Sequence, residues 1–333
     1  MNVKCFDRKK TIKRIIFVSV AVLLVVAMLL VIHKWEMARS LFVGEAPDWN
    51  SDDVFEYNGQ EYELKDDVET ILIMGLDKFG EGVDYTSYNN DQQADFLMLF
   101  VVDNGSRTCA AIHLNRDTMA EITVLGVGGK KVGTVTQPLA LAHTYGSGGS
   151  DSCRNTTQAV SKLMYGLPID HYVSLTMDAV QTLNDLVGGV TVTVLDDFSG
   201  IDDTLKQGET VTLMGDSALT YVRSRYGVGD SGNVGRMNRQ EQYLTEFYHQ
   251  TVRHMENNEN FSSDAILKIA EYMVSDCSVP YMQKLSDVML EYEMSDFYTI
   301  DGELKVGEEY MEFYPDESSV KDILVKLFYN VKD

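Results

Sequence analysis

The stretch ETILIMGLD, residues 69–77, decides the fold that we expect. A short apolar and β-branched run that ends in Gly75 and Asp77 predicts a buried strand that delivers an acid to a loop. Two further apolar runs follow at residues 96–102 and 109–114. Residues 103–106, between those two runs, read Asp-Asn-Gly-Ser and have the chemistry of a hairpin turn.

Helix and strand patterns interleave along the rest of the chain. Apolar periodicity, with glycine or proline at several helix ends, predicts these elements. Helices are expected at residues 154–165, 177–187, 216–222, 236–254, 263–275, 280–292 and 316–329, and strands at 172–175 and 190–195. The alternation predicts an α/β fold with one domain, in which a central mixed β-sheet is flanked by helices.

The N-terminal segment has the pattern of a membrane anchor. Residues 15–32 carry no charge, and a helix over them is about 27 Å long, close to the ~30 Å hydrocarbon core of a bilayer. Six basic residues and one acidic residue precede the run, which predicts a cytoplasmic N-terminus. A cleaved signal peptide is the competing interpretation, but the run is longer than a usual signal core and no small-x-small site follows it directly.

We therefore expect a single-pass protein with four segments. They are a cytoplasmic basic tail at 1–14, a transmembrane anchor at 15–34, a stalk at 35–67 and an extracytoplasmic domain at 68–333. The chain carries 28 basic and 51 acidic residues, a net charge of −23 at pH 7. Because affinity for nucleic acids comes mostly from neutralising phosphates, this balance argues against a nucleic-acid partner.

Familiar catalytic and metal-binding motifs are absent from the sequence. It has no GxSxG, HExxH or Walker-type phosphate-binding motif. The six histidines show no spacing typical of metal ligands, and no CxxC pair suggests zinc. His143 and His171 are accordingly expected to be ordinary structural or surface residues.

A cluster of arginines stands out on this acidic chain. Arg223, Arg225, Arg236 and Arg239 fall within seventeen residues, and Gln240 follows them. Guanidinium groups at the start of a helix suit a phosphate or pyrophosphate, so the cluster predicts an anion site. Surface salt bridges with nearby acids are the alternative.

Acidic residues mark the ends of the three predicted strands. Asp77 ends the first, Asp95 begins the second, and Arg116-Asp117 follows the third. If the three strands are neighbours, their ends bring carboxylates and an arginine to one rim, where two oxygen donors and a phosphate would suit magnesium. Such aspartates are also common turn formers and helix caps.

The order of several motifs resembles the LytR-CpsA-Psr (LCP) family of bacterial cell-envelope proteins. The motifs are Gly75-Leu76-Asp77, Ala94-Asp95, Asn115-Arg116-Asp117-Thr118, Gly166-Leu167-Pro168-Ile169-Asp170-His171-Tyr172, Tyr221-Val222-Arg223-Ser224-Arg225 and Gly235-Arg236-Met237-Asn238-Arg239-Gln240. The likeness spans residues 66–250, after one membrane helix.

This resemblance implies a phosphotransferase at the outer face of a bacterial cell membrane. Such enzymes transfer a glycopolymer, such as teichoic acid or capsule, from a polyprenyl-pyrophosphate carrier to peptidoglycan, forming a phosphodiester. The implied partners are the lipid-linked glycopolymer, peptidoglycan and membrane lipid, and the lipid tail would lie in an apolar groove between sheet and helices.

The resemblance also assigns roles to residues. Asp77 and Asp95 would hold Mg²⁺ or Mn²⁺ against the pyrophosphate, and Asp117 would orient Arg116 or act as a base. The residues that would bind pyrophosphate oxygens are Arg116, Arg223, Arg225, Arg236, Arg239 and Gln240. The implied catalytic set is Asp77, Asp95, Arg116, Asp117, Arg223 and Arg225.

The sequence departs from the family pattern at three places, which leaves other functions open. Gln93-Ala94 replaces Arg-Ser before Asp95, Asn115 replaces a proline, and Pro138-Leu139-Ala140 replaces a Lys-x-Asn stretch. These changes bear on acceptor or polymer specificity. A non-catalytic binder of polyprenyl pyrophosphate is the alternative, and a transcriptional attenuator is disfavoured by the acidic domain and the short tail.

Overall fold

The three apolar runs form neighbouring strands of one sheet in the computed structural model of this chain. The structure describes residues 55–76, 92–126, 130–146, 148–229, 231–309 and 311–332, all within one compact unit, Ala46–Asp333. The predicted tail at 1–14, the anchor at 15–34 and Asp77 lie outside the described residues. Within the described ranges, no helix has the length and apolar character that a membrane span needs.

The secondary structure extends well beyond the predicted elements. The strands are β1 (Phe55–Tyr57), β2 (Gln60–Leu64), β3 (Val68–Leu76), β4 (Ala94–Asp103), β5 (Thr108–Leu114), β6 (Met119–Leu125), β7 (Lys131–Pro138), β8 (His171–Thr176), β9 (Val190–Thr193), β10 (Thr210–Leu213), β11 (Met273–Ser275), β12 (Glu293–Thr299), β13 (Gly302–Val306), β14 (Met311–Pro315) and β15 (Tyr329–Val331). The helices are α1 (Gly149–Leu163), α2 (Met177–Leu186), α3 (Asp216–Arg223), α4 (Asn233–Asn257), α5 (Phe261–Ile269), α6 (Val279–Glu291) and α7 (Glu317–Phe328).

The central sheet is mixed and has the strand order β11-β8-β3-β4-β5-β12. β3, β4 and β5 are antiparallel neighbours, whereas β8 runs parallel to β3 and β12 runs parallel to β5. The turn predicted at 103–106 joins β4 to β5. The predicted α/β class, with a central mixed sheet flanked by helices, is therefore confirmed.

Side chains of the central strands divide between two apolar clusters because successive residues point to opposite faces. Leu72 and Leu99 belong to the larger cluster, which includes residues of α1 and α7. Ile71 and Val102 belong to a second cluster with Val288 of α6. Both faces are thus covered, which explains why the three runs are almost continuously apolar.

A third apolar cluster holds the helices that carry the clustered arginines. It contains Val190, Phe198, Tyr221 and Tyr243, and thereby joins β9 to α3 and α4. The rings of Phe198 and Tyr221 stack with centroids 5.6 Å apart. This packing fixes the C-terminal end of α3 relative to α4.

The last residues of the predicted stalk at 35–67 are ordered. Residues 55–57 and 60–64 are strands, and β2 pairs with the C-terminal strand β15. Phe55, Tyr62 and Leu64 pack against the main core, while acidic residues alternate with them on the outer side. The acidic composition concealed this period-2 pattern, which is that of a half-buried strand.

The helix predicted at 263–275 needs correction. α5 ends at Ile269, a 3₁₀ turn covers Ala270–Tyr272, and Met273–Ser275 is a strand. This strand pairs with the outer edge of β8. Pairing the exposed backbone groups of an edge strand competes here with continuing the helix.

We predict that Tyr329→Ala lowers the free energy of unfolding by about 3 kcal/mol, because it removes a buried ring. Tyr329 is 5% exposed, and its ring centroid lies 5.3 Å from that of Phe55. Urea denaturation followed by circular dichroism measures the change. Val331→Ala in the same strand is the control, since Val331 is 58% exposed and should change stability little. Equal effects of the two substitutions would contradict the proposed packing.

Candidate functional site

A polar pocket of about 960 Å³ collects most of the charged residues that the sequence singled out. Because β4 is antiparallel to both β3 and β5, the C-terminal ends of β3 and β5 lie beside the N-terminal end of β4. The pocket beside these ends is lined by Gln93, Asp95, Arg116, Asp117, Arg223, Ser224, Arg225, Tyr226, Arg236, Val306, Gly307, Glu308, Glu309 and Met311. Two separate sequence predictions, the strand-end acids and the arginine cluster, thus meet at one site.

A β-bulge places Asp95 in this pocket. Gly75 pairs with Phe96 and Leu76 pairs with Ala94, so Asp95 is an extra residue opposite the β3 backbone. Such bulges redirect a side chain and are common beside active sites. A side chain at position 75 would clash, since its Cβ would lie 2.9 Å from the Cβ of Phe96. The Asp95 carboxylate accepts a hydrogen bond from Arg116.

Asp117 is the buried counter-charge of two pocket arginines. One of its carboxylate oxygens lies 3.4 Å from Arg116 Nε, and the other lies 3.7 Å from Arg225 Nη2. Its backbone amide donates to Asn115 Oδ1, and its carbonyl accepts from the backbone amide of Phe313 in β14. Asp117 therefore links the end of β5 with Arg225 and with the β13–β14 hairpin.

Arg236 is the most deeply buried arginine of the pocket, with 5% exposure. Its guanidinium donates to Asn233 Oδ1 at 2.6 Å, and Asn233 Nδ2 donates to Asn115 Oδ1 at 2.7 Å. Burial, together with the nearby charges of Arg116 and Arg225, lowers the Arg236 pKa to about 10. Arg236 is therefore still cationic at neutral pH, and an anion in the pocket would relieve this repulsion.

Arg239 and Gln240 lie elsewhere. Arg239 is 1% exposed, and it donates to the carbonyls of Tyr221 and Ser224 and pairs with Asp196. Gln240 Nε2 donates to the Val222 carbonyl at 3.0 Å. Neither lines the polar pocket. Both instead donate hydrogen bonds to carbonyls at the end of α3, and they thereby position the segment that carries Arg223 and Arg225. Contact of Arg239 and Gln240 with pyrophosphate stays a prediction.

An apolar cavity of about 250 Å³ lies next to the polar pocket, between strands β3, β4 and β8 and helices α2 and α4. Its lining is Ile73, Met74, Gly75, Phe96, Met98, Leu175, Thr176, Met177, Val180, Leu183, Val222, Gln240, Tyr243, Leu244 and Phe247. Phe96 and Val222 line this cavity, while their chain neighbours Asp95 and Arg223 line the polar pocket. A charged site thus adjoins an apolar one.

His113 lies beneath the site and is 2% exposed. Its ring centroid is 5.1 Å from that of Phe96. Burial first, and then the charge of Arg236, lower its pKa to about 4, although a hydrogen bond with Gln240 opposes the shift. A neutral His113 avoids adding another positive charge beside Arg236.

Sequence reasoning missed several residues of the site. No role at the site was assigned to Asn115 from the sequence, yet its side chain joins Asp117 to Asn233. Glu308 and Glu309 line the pocket from the connection between β13 and β14, two strands that the sequence did not predict. Asn115 and Asn233 are 118 residues apart, so no local sequence pattern predicts the hydrogen bond between them.

The comparison with known proteins agrees with this geometry. A family model described as "LytR_cpsA_psr family" matches residues 45–327. The chain belongs to the LytR-CpsA-Psr family. Asp95, Arg116, Asp117, Arg223, Arg225 and Arg236 all lie within the matched range.

The most similar curated relatives include two teichoic acid transferases. One is "Polyisoprenyl-teichoic acid--peptidoglycan teichoic acid transferase TagU" of Halalkalibacterium halodurans, 30% identical over 172 residues, or 52% of each chain. The protein named TagV in Bacillus subtilis is 30% identical over 182 residues, covering 53% of this chain and 41% of its own. The chain spans about half the length of these relatives.

Solved structures share the fold. B. subtilis TagV superposes with a TM-score of 0.59 at 22% identity, covering 79% of this chain and 97% of its own. The protein gbs0355 of Streptococcus agalactiae gives 0.63 at 18% identity, covering 78% and 86%. A structure of TagT bound to LIIa-WTA gives 0.58 at 19% identity, covering 79% and 90%.

We predict that the contribution of His113 to the free energy of unfolding becomes less favourable as the pH falls from about 6.5 to about 4. In this window the unfolded chain protonates His113 while the folded chain does not, so acid favours unfolding by up to about 1.4 kcal/mol per pH unit. His113→Leu should reduce the slope of unfolding free energy against pH, measured by urea denaturation between pH 5 and 6.5.

The control is His249→Leu, since His249 is exposed. It should leave the slope unchanged. His143 also has its pKa lowered to about 4 by burial, so part of the slope should persist in His113→Leu. An unaltered slope in His113→Leu would show that His113 is not held neutral in the folded protein.

Proposed function

We propose that this protein transfers a glycopolymer from a polyprenyl-pyrophosphate carrier to peptidoglycan, forming a phosphodiester. The observation that carries the proposal is the arginine-lined pocket directly beside an apolar cavity. A polyprenyl pyrophosphate has the same division, a doubly charged group on a hydrocarbon tail. The names of the TagU and TagV relatives support teichoic acid as the class of polymer, and peptidoglycan as the acceptor.

The arginines supply the electrostatic part of the mechanism. Phosphoryl transfer develops charge on the phosphate oxygens, and fixed guanidinium groups stabilise that charge without reorganising. Arg116 and Arg225 are held by Asp117, and Arg236 is held by Asn233. These restraints prearrange the three guanidinium groups for the pyrophosphate, while Arg223 is exposed at the pocket rim.

Asp77 and Asp95 are the proposed holders of Mg²⁺ or Mn²⁺. Asp95 reaches the pocket through the bulge, and Leu76, the residue before Asp77, pairs with Ala94, the residue before Asp95. Carboxylate and phosphate oxygens are the ligands that magnesium prefers, so these donors fit the metal. When bound, the metal would neutralise part of the pyrophosphate charge.

Asp117 is better suited to positioning than to proton transfer. It is 4% exposed, and its two carboxylate oxygens lie 3.4 Å from Arg116 Nε and 3.7 Å from Arg225 Nη2. We therefore assign it to orienting Arg116 and Arg225. The attacking hydroxyl belongs to the acceptor sugar, so the mechanism needs no nucleophile from the protein, in line with the absence of a hydrolase motif.

The proposed location is the outer face of a bacterial cell membrane. A carrier with a polyprenyl tail is confined to the bilayer, and an anchor at 15–34 would keep the enzyme at the same surface. The acidic domain would then lie outside the cytoplasm. This topology follows from the N-terminal sequence and rests on residues outside the described ranges.

We predict that Arg225→Ala lowers the rate of transfer from a lipid-linked donor to peptidoglycan by about 10²–10³-fold, the usual effect of removing one charge-stabilising donor. Radiolabelled polymer retained on peptidoglycan measures the rate. Arg253→Ala is the matched control, because Arg253 is exposed on α4 and lies outside the pocket lining. Undiminished transfer by Arg225→Ala would contradict the mechanism.

A second substitution separates an enzyme from a non-catalytic binder. If Asp95 holds the metal, Asp95→Asn should abolish transfer while donor binding, measured by calorimetry, falls much less. A wild-type protein that binds the donor but transfers no polymer, with Asp95→Asn also functional in cells, would favour the binder.

We also predict that filling the apolar cavity weakens the binding of long-chain lipid pyrophosphates more than that of short-chain ones. Leu244→Trp should raise the Kd for a long-chain polyprenyl pyrophosphate tenfold or more, a change of about 1.4 kcal/mol. The Kd for a short-chain isoprenyl pyrophosphate should change little, because the polar pocket is intact. Leu267→Trp is the control, since Leu267 is 72% exposed on α5. An equal loss for both ligands would place the tail elsewhere.

A further inference from the structure

Three side chains of different chemistry meet at the edge of the central sheet, away from the polar pocket. His171 begins β8, and Asp276 and Cys277 follow β11, the neighbouring edge strand. One nitrogen, one oxygen and one sulfur atom of these residues all lie within 4.8 Å of one another. In the described part of the chain this is the one group of three histidine, cysteine or acidic residues with such spacing.

The geometry is close to that of a tetrahedral metal site. His171 Nδ1 lies 3.4 Å from Asp276 Oδ1. Two ligands bound to zinc at 2.0–2.1 Å are separated by about 3.3 Å when the geometry is tetrahedral. Cys277 Sγ lies within 4.8 Å of both atoms, and a tetrahedral site with a zinc–sulfur bond of ~2.3 Å would place it about 3.6 Å from them.

Hydrogen bonds already hold the ligands in place. The backbone amide of Tyr172 donates to Asp276 Oδ1 at 2.9 Å, and Ser275 Oγ donates to the Tyr172 carbonyl at 2.8 Å. The Cys277 amide in turn donates to Ser275 Oγ at 2.9 Å. This network ties the loop after β11 to the first residues of β8, and such supporting contacts orient metal ligands.

The His171 ring is positioned for ligation. It packs against the ring of Tyr281 with centroids 4.3 Å apart. Its Nδ1 is buried, and among the described residues it has no hydrogen-bond partner. A buried ring nitrogen without a hydrogen-bond partner, beside a carboxylate and a thiol, is unusual for a purely structural histidine.

We propose that His171, Asp276 and Cys277 bind a zinc ion, with water in the fourth position. A set of one imidazole, one carboxylate and one thiol suits zinc, whereas magnesium and calcium take oxygen ligands. Zinc binding would release the proton of the Cys277 thiol, because the thiolate is the form that binds the metal. The site is independent of the proposed transfer function, because His171 begins β8 while Leu175 and Thr176, at the other end of this strand, line the apolar cavity.

The ion would strengthen the sheet edge. It would join the loop between β11 and α6 to β8, whose pairing with β11 covers only Met273–Ser275. A ligand that binds only the folded state raises stability in proportion to the logarithm of its concentration over its Kd. At 100 times the Kd we expect Tm to rise by roughly 5 °C.

Spectroscopy and thermal unfolding of the full-length purified protein, reduced and freed of metal with a chelator, test the proposal. Zn²⁺ should raise Tm, and Co²⁺ in its place should give a thiolate-to-cobalt charge-transfer band. Cys277→Ser and His171→Gln should abolish the band and the Tm response. His249→Ala is the matched control, because His249 is exposed, and it should keep both.

The variants must also remain folded for the test to count. Cys277→Ser changes one atom, so its Tm in chelator should match that of the wild type. Wild-type protein that shows no charge-transfer band, or a band and Tm response that persist in Cys277→Ser, would overturn the proposal. Neither readout depends on transfer activity, so failure here leaves the transfer proposal untouched.

Discussion

Repulsion among the pocket arginines is the constraint on which this site depends. Like charges confined to one pocket of a protein interior interact strongly because the local dielectric is low. The buried carboxylate of Asp117 lies between Arg116 and Arg225 and opposes this repulsion. Burial first, and then the charges of Arg116 and Arg225, lower the pKa of Arg236 to about 10, while Asp117 opposes the shift. The pocket is thus poised to gain more negative charge, which is the property expected of a site for a polyanionic group.

The same buried aspartate organises the surrounding chain. Its backbone receives a hydrogen bond from Phe313, and its amide donates to Asn115, which joins it to Asn233 at the start of α4. Elements far apart in sequence therefore converge on one residue. Asn115 makes this possible in a way that proline cannot, because its side chain both accepts from the loop and contacts α4. Asn115, which departs from the family pattern, thus links the end of β5 to the start of α4.

The division into a charged and an apolar cavity follows from strand and helix geometry. Asp95 lines the polar pocket and its neighbour Phe96 lines the apolar cavity, at the bulge that interrupts the regular alternation of β4. At the end of α3, Arg223 and Val222 are divided between the two cavities in the same way. No long-range rearrangement is needed to place a charged pocket beside an apolar cavity. Local backbone geometry is enough.

The sequence by itself determined the central strands, the main helices, the family and the residues Arg116, Arg223, Arg225 and Arg236 of the pocket, because those features rest on local periodicity and motif order. Strands such as β2 and β12–β14 were missed, since their stability comes from distant partners rather than from their own composition.

Only the tertiary structure decided which of the clustered arginines line the polar pocket. Arg236 and Arg239, three residues apart, diverge by about 60° around α4, and packing against α3 turns one to the pocket and the other to carbonyls. Likewise, His171 and Cys277 meet only because β11 pairs with β8. A contact between residues a hundred positions apart depends on how sheet and helices pack, and no local pattern encodes that packing.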